Sequence, residues 1–372
     1  MFKDKVILIT GGSGSWGSEL TKQLLEKYSP KEVRIYSRGE SKQVDMKRIF
    51  KSNPLLKFII GDVRDYKRLE HATYDVDYIF HLAALKHVPV CEQNVEEAVK
   101  TNILGTQNVI RVAIKNSIKK VIYISTDKAV NPLNLYGMTK AIGEKLIISA
   151  NNLSNKTSFV CIRAGNALGS SGSVVPLFRN QILTANKITI TNGEMTRFTF
   201  PLEEAISLIF KASIDSIGGE IFVMETPALK IEDLADVMIK ELGNSDTKKI
   251  VIGERPAEKT HELLVSKEES KRTFVSGKYF IILPLISIEN IKKKYSLNEM
   301  PPLTVDEISS KNERILNHEE IKKMLNREGW LSKERKDGFF SKEEIDRDLM
   351  YKNKEYLLDF FKNEGWIKGE NI

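Results

Sequence analysis

A doubly wound α/β fold built on a parallel sheet is what the sequence predicts, on three observations. Apolar runs alternate with helix-like segments through residues 1–165, the pattern of successive βαβ units. The runs are rich in Val, Ile, Tyr and Phe without strict two-residue alternation, as in strands covered on both faces. A glycine-rich turn, GGSGSWG at 11–17, follows the first run and opens a helix.

In order, the expected strands are KVILIT at 5–10, EVRIYS at 32–37, LKFIIG at 56–61, DYIFHLAA at 77–84, KVIYIS at 120–125 and SFVCIR at 158–163. Between the fourth and fifth, Glu92 to Asn116 reads as one long helix. Beyond residue 165 the pattern loosens into a helix from Val175 to Leu183, a strand KITIT, a helix from Glu203 to Ser213, a strand GEIFVM and a helix from Glu232 to Glu241. This is expected to form a smaller α/β lobe over 166–300, with some segments returning to the main sheet. Residues 301–372 are charged and helical in character. Within them NREGWL at 326–331 and KNEGWI at 362–367 read as helix ends. There Gly stops the helix and Trp packs the chain back, onto this chain or a neighbouring subunit.

A chain of 372 residues, at about 150 per domain, holds two or three such units. With 41% hydrophobic and 29% charged residues and no apolar run near the roughly 20 residues of a membrane span, it reads as soluble. The net charge of +7 is a small difference between 57 basic and 50 acidic residues. That balance argues against nucleic acid and only weakly for an anionic ligand. Cys91 and Cys161 lack metal-ligand spacing and read as reduced structural thiols of a cytoplasmic protein. His81 and His87 show no metal pattern. The N-terminal run, preceded by acidic Asp4, reads as a first strand and not as a signal peptide.

The turn carries Gly11, Gly14 and Gly17 at three-residue spacing, with Ser13, Ser15 and Trp16 between them. Glycine there allows close approach to a pyrophosphate, and the helix N-terminus offers unpaired N–H groups, so dinucleotide binding is expected. The second strand ends in Ser37 and Arg38, with Lys42 following, where an acidic residue would favour NAD. Donors and positive charge suit a 2′-phosphate, so NADP is preferred and NAD is the alternative. Asp62, after the third strand, either accepts from an adenine amino group or caps the next helix.

Ser125 ends the fifth strand, and Asp127 and Lys128 follow at once. Tyr136 and Lys140 stand four apart in LYGMTKAIGEKL, which reads as helix, so both project from one face. An ammonium beside a phenol lowers the phenol's pKa from about 10 and can hold a ribose hydroxyl, which makes Tyr136 a candidate base.

STDKAVNP, NLYGMTK, AALKHVP, GSVVPLF, MTRF and RPAEKTHE together resemble motifs of the extended short-chain dehydrogenase/reductases. Within that group the resemblance is to the inverting UDP-N-acetylglucosamine 4,6-dehydratases of bacterial surface-polysaccharide biosynthesis. It runs from residue 3 to about 320. It implies an NADP-binding Rossmann domain at 1–165, a substrate-binding lobe at 166–300, a helical extension at 301–372, and a homo-oligomer, dimer or hexamer, formed through helices such as Glu92–Asn116. It implies that Val63, Ala83, Ala84, Lys86 and Asn102 join the cofactor site. Lys86, Thr126, Asn166, Val174, Arg197, Arg255 and Glu258 would hold the UDP-sugar, with Arg suited to the diphosphate and Glu to ribose hydroxyls.

The chemistry implied is removal of water across carbons 5 and 6 of the hexose after transient oxidation at carbon 4. Tyr136 takes the 4-hydroxyl proton while hydride passes to the cofactor, Lys128 removes the carbon-5 proton, Asp127 protonates the departing 6-hydroxyl, and hydride returns to carbon 6. A tightly bound, recycled NADP suffices. Lys128 must act as a neutral amine and Asp127 as a protonated acid, and burial moves both that way. From this, the two adjacent side chains are expected to diverge, since an ion pair would undo both states, with Lys140 keeping Lys128 neutral.

The chain departs from the family pattern at Ala164 in Arg163-Ala164-Gly165-Asn166, at Ser171 in Ser170-Ser171-Gly172-Ser173, and at Ala257, where the family carries Gly. These changes bear on which hexosamine and base are taken, and leave the reaction class. Two rivals stay open: a nucleotide-sugar 4-epimerase, which needs Tyr136 and Lys140 but no eliminating pair, and a non-catalytic NADP-binding sensor. A dehydratase that does not invert carbon 5 is a variant of the first reading.

Overall fold

The first strand, β1 (Val6–Thr10), is buried along its whole length and divides its side chains between two layers. Val6 and Leu8 join one apolar cluster, Ile7 and Ile9 the other. A strand covered on both faces has no reason to alternate, which accounts for the continuous apolar run. In the computed structural model, which describes residues 1–170, 172–285 and 300–333, β1 is joined in one sheet by β2 (Glu32–Ser37), β3 (Leu56–Ile60), β4 (Tyr78–His81), β5 (Lys120–Thr126) and β6 (Ser158–Ala164). All these neighbours pair in parallel, in the order β3-β2-β1-β4-β5-β6. The switch of direction between β1 and β4 opens a crevice at their carboxyl ends.

Helices cover both faces. α1 (Ser15–Lys27), α2 (Glu40–Ile49) and α9 (Leu202–Asp215) supply Leu20, Leu24, Met46, Ile206 and Phe210 to one cluster. α3 (Tyr66–Ala72), α6 (Gly105–Lys115) and α7 (Leu135–Ala150) supply Leu69, Val109, Val112 and Ile147 to the other. Among the described residues no helix is long and apolar enough to cross a membrane.

Two expected elements differ. DYIFHLAA yields a strand only to His81. The chain then leaves the sheet, with Leu82 N–H donating to Thr10 O and Ala83 N–H to the Thr10 hydroxyl. The long helix over 92–116 is broken. α4 (Val88–Gln93) ends at Asn94, α5 (Val95–Ala98) restarts, and a π-helical stretch, Val99–Leu104, precedes α6. The wider turn carries Asn102, whose buried amide accepts from Leu85 N–H at 2.8 Å and donates to Leu85 O and to the Thr139 hydroxyl. The irregularity fastens the loop after β4 to α7, as π-bulges near functional sites do.

The rest of the chain serves both lobes. β10 (Ile221–Met224) lies parallel to β6, and β15 (Tyr279–Ile282) and β14 (Thr273–Ser276) extend the same sheet as an antiparallel hairpin, making it nine-stranded. The smaller lobe has its own core, built by α8 (Val174–Ala185), β8 (Lys187–Ile190), α10 (Ile231–Leu242) and α12 (His318–Arg327). Residues 300–333 divide between the two cores: Pro301 and Leu303 bond to β14, β16 (Ile308–Ser309) pairs with β13 (Leu263–Val265) so that Leu264, Val265 and Ile308 join the core of the large sheet, and Leu316, Ile321, Leu325 and Trp330 join the core of the smaller lobe. At the first of the two expected helix ends, Gly329 (φ +71°) follows α12, and Trp330 N–H donates to Leu325 O. Trp330 is 2% exposed within its own chain, not on a neighbour. The second, KNEGWI, lies outside the described residues. Replacing Trp330 by Ala is expected to cost about 3–5 kcal/mol, seen as a lower urea midpoint at unchanged m.

Candidate active site

The glycine turn and α1 form a cradle for a diphosphate. α1 begins at Ser15 with Gly14 as its N-cap, no side-chain cap and no acidic residue in its first turn, so its positive end is uncompensated. A Cβ on Gly17 would lie 2.3 Å from Gly12 O, and one on Gly11 2.8 Å from Ala83 N, so only glycine lets turn, helix and β4 close up. On Gly14 a Cβ would meet nothing nearer than Gly11 O at 3.3 Å. These features fit a dinucleotide pyrophosphate. The Trp16 ring packs edge-on to Phe200, 6.3 Å between centroids.

At the tip of β2 the Ser37 hydroxyl accepts from Ser13 Oγ at 2.8 Å and from the buried Gln43 amide at 2.9 Å. Its own proton is thereby left for an acceptor. Arg38, half exposed, lies 3.8 Å from Asp62, and Lys42 is on the exposed face of α2. Asp62 does not cap α3: that role falls to Asp65, which accepts from Arg68 N–H. Instead Asp62 accepts from Arg64 N–H and pairs with its guanidinium. Burial pushes the Asp62 carboxyl up, but Arg64 outweighs it and holds the group below its usual range. Val63 is buried in the core, Ala83 and Ala84 follow β4 half-buried, and Lys86 on the same loop is exposed. Asn102 reaches this site through the Leu85 backbone it holds.

The catalytic candidates converge at the carboxyl end of β5. A single 3-10 turn, Asp127–Ala129, carries Asp127 and Lys128, with the Thr126 hydroxyl at its N-cap. α7 starts close by because Gly137 lacks a Cβ, which would lie 2.2 Å from Lys128 O. Asn134 caps α7 through Gly137 N–H and donates to Ala257 O from the smaller lobe. Tyr136 is thus brought over the turn, and Thr126 hydrogen-bonds both its phenol and Asp127 Oδ1, the latter at 2.9 Å.

Here the structure corrects three expectations. Asp127 and Lys128 do not diverge: Lys128 Nζ lies 3.0 Å from Asp127 Oδ1 and 3.1 Å from Glu262 Oε1, with Asn166 Oδ1 at 3.5 Å. Asp127 is fully buried, and the flexible lysine stem folds back to meet it. Burial pulls Lys128 down, but Asp127 and Glu262 outweigh it and hold the ammonium above its ordinary range. Second, Lys140 does not keep Lys128 neutral. Its Nζ donates to Ile124 O at 2.7 Å and sits 3.8 Å above the Tyr123 ring, where burial lowers its own pKa to about 7. Third, burial raises Tyr136 to about 12, opposed by Lys128 and by the Thr126 hydrogen bond, not by Lys140.

For Asp127 the direction is as expected: burial raises it, Lys128 opposes, and Glu262 adds to the rise. Asp127 Oδ2, Glu262 Oε2 and Ser125 Oγ are buried with no hydrogen-bond partner in the protein. Two of the three belong to the carboxylates that meet the Lys128 ammonium, each of which leaves one oxygen without a hydrogen bond.

The smaller lobe supplies the other wall. Asn166, on β7 (Asn166–Ala167), pairs beside β9 (Thr196–Phe200), which carries Arg197. The Arg197 guanidinium, 7% exposed, donates to Thr196 O and Thr260 O and approaches Glu258 at 3.4 Å. Arg255 and Glu258 close a tight turn, Glu258 N–H donating to Arg255 O and Arg255 N–H to Glu258 Oε2, and Val174 opens α8. Ala257, within that turn, has φ +59°, a left-handed conformation that strains a Cβ.

Glu262 was not singled out from the sequence. It is 2% exposed, and its backbone is bound in both directions to Ser310 beside β16. Its segment is anchored by Arg163, whose buried guanidinium pairs with Glu144 of α7 and Glu269 of α11 (Lys267–Ser270) and donates to Leu264 O. The one available signal was that RPAEKTHE ends in this glutamate.

The chain can now be compared with known proteins. A family model described as "Polysaccharide biosynthesis protein" matches residues 7–284. The chain is 45% identical over 303 residues to a UDP-N-acetylglucosamine 4,6-dehydratase (inverting) of Campylobacter jejuni subsp. jejuni serotype O:23/36, covering 81% of this chain and 89% of that one. It is 44% identical over 331 residues, 87% and 96% of the two chains, to a UDP-glucose 4-epimerase of Rickettsia canadensis. Among solved structures it resembles Pen from Bacillus thuringiensis, with 39% identity, TM-score 0.81 and coverage of 88% and 99%.

Two stability outcomes follow from this geometry. Burial pushes Glu269 up, but Arg163 and the Ser266 hydrogen bonds outweigh it and hold it at about 2, below its ordinary 4.5. Its contribution is full above pH 4.5 and lost as pH falls toward 2. Glu269→Gln should flatten that part of the stability profile in acid denaturation. Ala257→Gly should stabilise by about 0.5–1 kcal/mol in chemical denaturation, by relieving the positive φ.

Proposed function

We propose, on the premise that the chain belongs to the polysaccharide biosynthesis protein family, that it is a nucleotide-sugar 4,6-dehydratase. Its substrate is UDP-N-acetylglucosamine, its product a UDP-4-keto-6-deoxy-hexosamine formed with inversion at carbon 5. The observation that carries this reading is the buried Asp127–Lys128 contact within the same site as Tyr136. A 4-epimerase moves one proton at O4 and has no task for an acid and an amine side by side.

NADP held by the Gly11–Gly17 cradle and the tip of β2 supplies a hydride acceptor and donor when bound. Tyr136, tied to Thr126, handles the proton of the 4-hydroxyl. The close pair that contradicted the expected divergence becomes useful. Moving one proton along the 3.0 Å contact turns ammonium and carboxylate into amine and acid together. The amine of Lys128 then takes the carbon-5 proton, the acid of Asp127 protonates the departing 6-hydroxyl, and the charged pair is restored; hydride returned to carbon 6 and a solvent-derived proton on the opposite face of carbon 5 complete the inverted product. Arg197, Arg255 and Glu258 line the wall for the UDP moiety, with Asn166 beside Lys128 at the sugar end. NADP is preferred over NAD because Ser37 retains a proton to donate and Arg38 stands next to it, both suited to a 2′-phosphate. A cytoplasmic homo-oligomer completes the reading.

Incubation with UDP-N-acetylglucosamine in heavy water, without added cofactor, should yield a sugar lighter by one water with solvent deuterium at carbon 5. An isomer of equal mass would favour epimerisation, and unchanged sugar would sink the reading. On protein freed of nucleotide, Ser37→Ala should weaken NADP roughly tenfold, the size of one hydrogen bond to a charged group, and leave NAD nearly unchanged in calorimetry.

A further inference from the structure

Lys128 meets two carboxylates, although one would balance its charge. They reach it from segments far apart in the chain: Asp127 from its own turn at 3.0 Å, Glu262 from the segment before β13 at 3.1 Å. Both are almost fully buried. Two anions held so close to one ammonium in a water-poor site do not remain equal. Their surroundings decide which keeps the charge.

Around Glu262 stand further cations. Lys259 Nζ lies 4.0 Å from Glu262 Oε2, and the Arg197 guanidinium faces the same carboxylate from β9. Around Asp127 the neighbours are Lys128, the Thr126 hydroxyl, the Tyr136 phenol and Glu262 itself, and Lys259 acts on it more weakly than on Glu262. Glu262 is therefore the anion, and Asp127 is the carboxyl on which a proton can rest.

We propose that Glu262 is a positioning residue of the elimination: as the fixed counter-ion of Lys128 it aims the amine and directs the proton shared within the cluster to Asp127. This rests on the dehydratase reading above. The shifts agree with it, since burial and Glu262 raise Asp127, while Lys128, Arg197 and Lys259 together outweigh burial and lower Glu262. The backbone fits the role too. Glu262 N–H and C=O are both bonded to Ser310, and Arg163 pins Leu264 two residues on, so the carboxylate is held on a rigid element.

Glu262→Gln is nearly isosteric and removes one negative charge from both neighbours, so Asp127 and Lys128 must each titrate at lower pH. The acid limb of the kcat/KM profile for dehydration should move down by about one unit or more, while Glu262→Asp, which keeps the charge, should leave the limb in place. Titration of the Lys128 side chain by carbon NMR in lysine-labelled protein, assigned by its loss in Lys128→Ala, should show the same downward shift without turnover. A lower rate in Glu262→Gln with an unmoved limb and unmoved Lys128 titration would overturn the proposal and leave the dehydratase reading standing. Unmodified protein that dehydrates no UDP-N-acetylglucosamine would overturn both. A shift in the lysine titration in protein that only epimerises would retain the counter-ion pair and overturn its place in an elimination.

Discussion

An ammonium held between two buried carboxylates is the constraint around which the rest of this molecule is arranged. Neither carboxylate tolerates burial alone, and breaking such a contact by removing one partner costs about 3–5 kcal/mol. Lys128 is itself about a fifth exposed, with a side-chain accessibility of 21%, while Asp127 and Glu262 are closed off. The cluster is open on the side of the lysine, where a substrate must enter, and shut behind the acids.

Holding that cluster demands agreement between segments far apart in the chain. Asp127 and Lys128 are delivered by the end of β5, and Glu262 by a segment tied to β16. Leu264, Val265 and Ile308 bury that segment against the sheet, and polar anchors orient it: Arg163 with Glu144 and Glu269, Asn134 with Ala257 O, and Lys259 with Val130 O. Every N–H of the Arg163 fork that reaches these partners is directional, so the anchor fixes orientation as well as distance. An apolar contact of similar area would let the segment slide.

The relatives include proteins named as a dehydratase and as a 4-epimerase at nearly equal identity. Overall likeness therefore does not separate the two chemistries. The separation lies in which protons the site can move, and those depend on a handful of side chains. The glycine cradle, Tyr136 and Lys140 suit any reaction that begins with hydride transfer at a sugar carbon. On the proposed reading, the Asp127–Lys128–Glu262 cluster adds the means to take a proton from one carbon and deliver one to the oxygen on the next.

Sequence by itself determined the parallel sheet, and it offered the glycine turn and Asp127, Lys128, Tyr136 and Lys140 as candidates, because each is written in local spacing: apolar runs between helices, glycines at three-residue intervals, a helical Tyr-Lys pair. The π-helical stretch at Val99–Leu104 was not legible, because it serves a contact between Asn102 and Leu85 that only the folded loop creates. Nor was the partnership of Lys128 with Glu262, or the seclusion of Lys140 above Tyr123. Protonation states followed the same division: burial was foreseeable from position at a strand end, but the competing charges come from segments distant in the chain. Charge interaction depends on separation in space, and that separation is set by the packing of the two lobes.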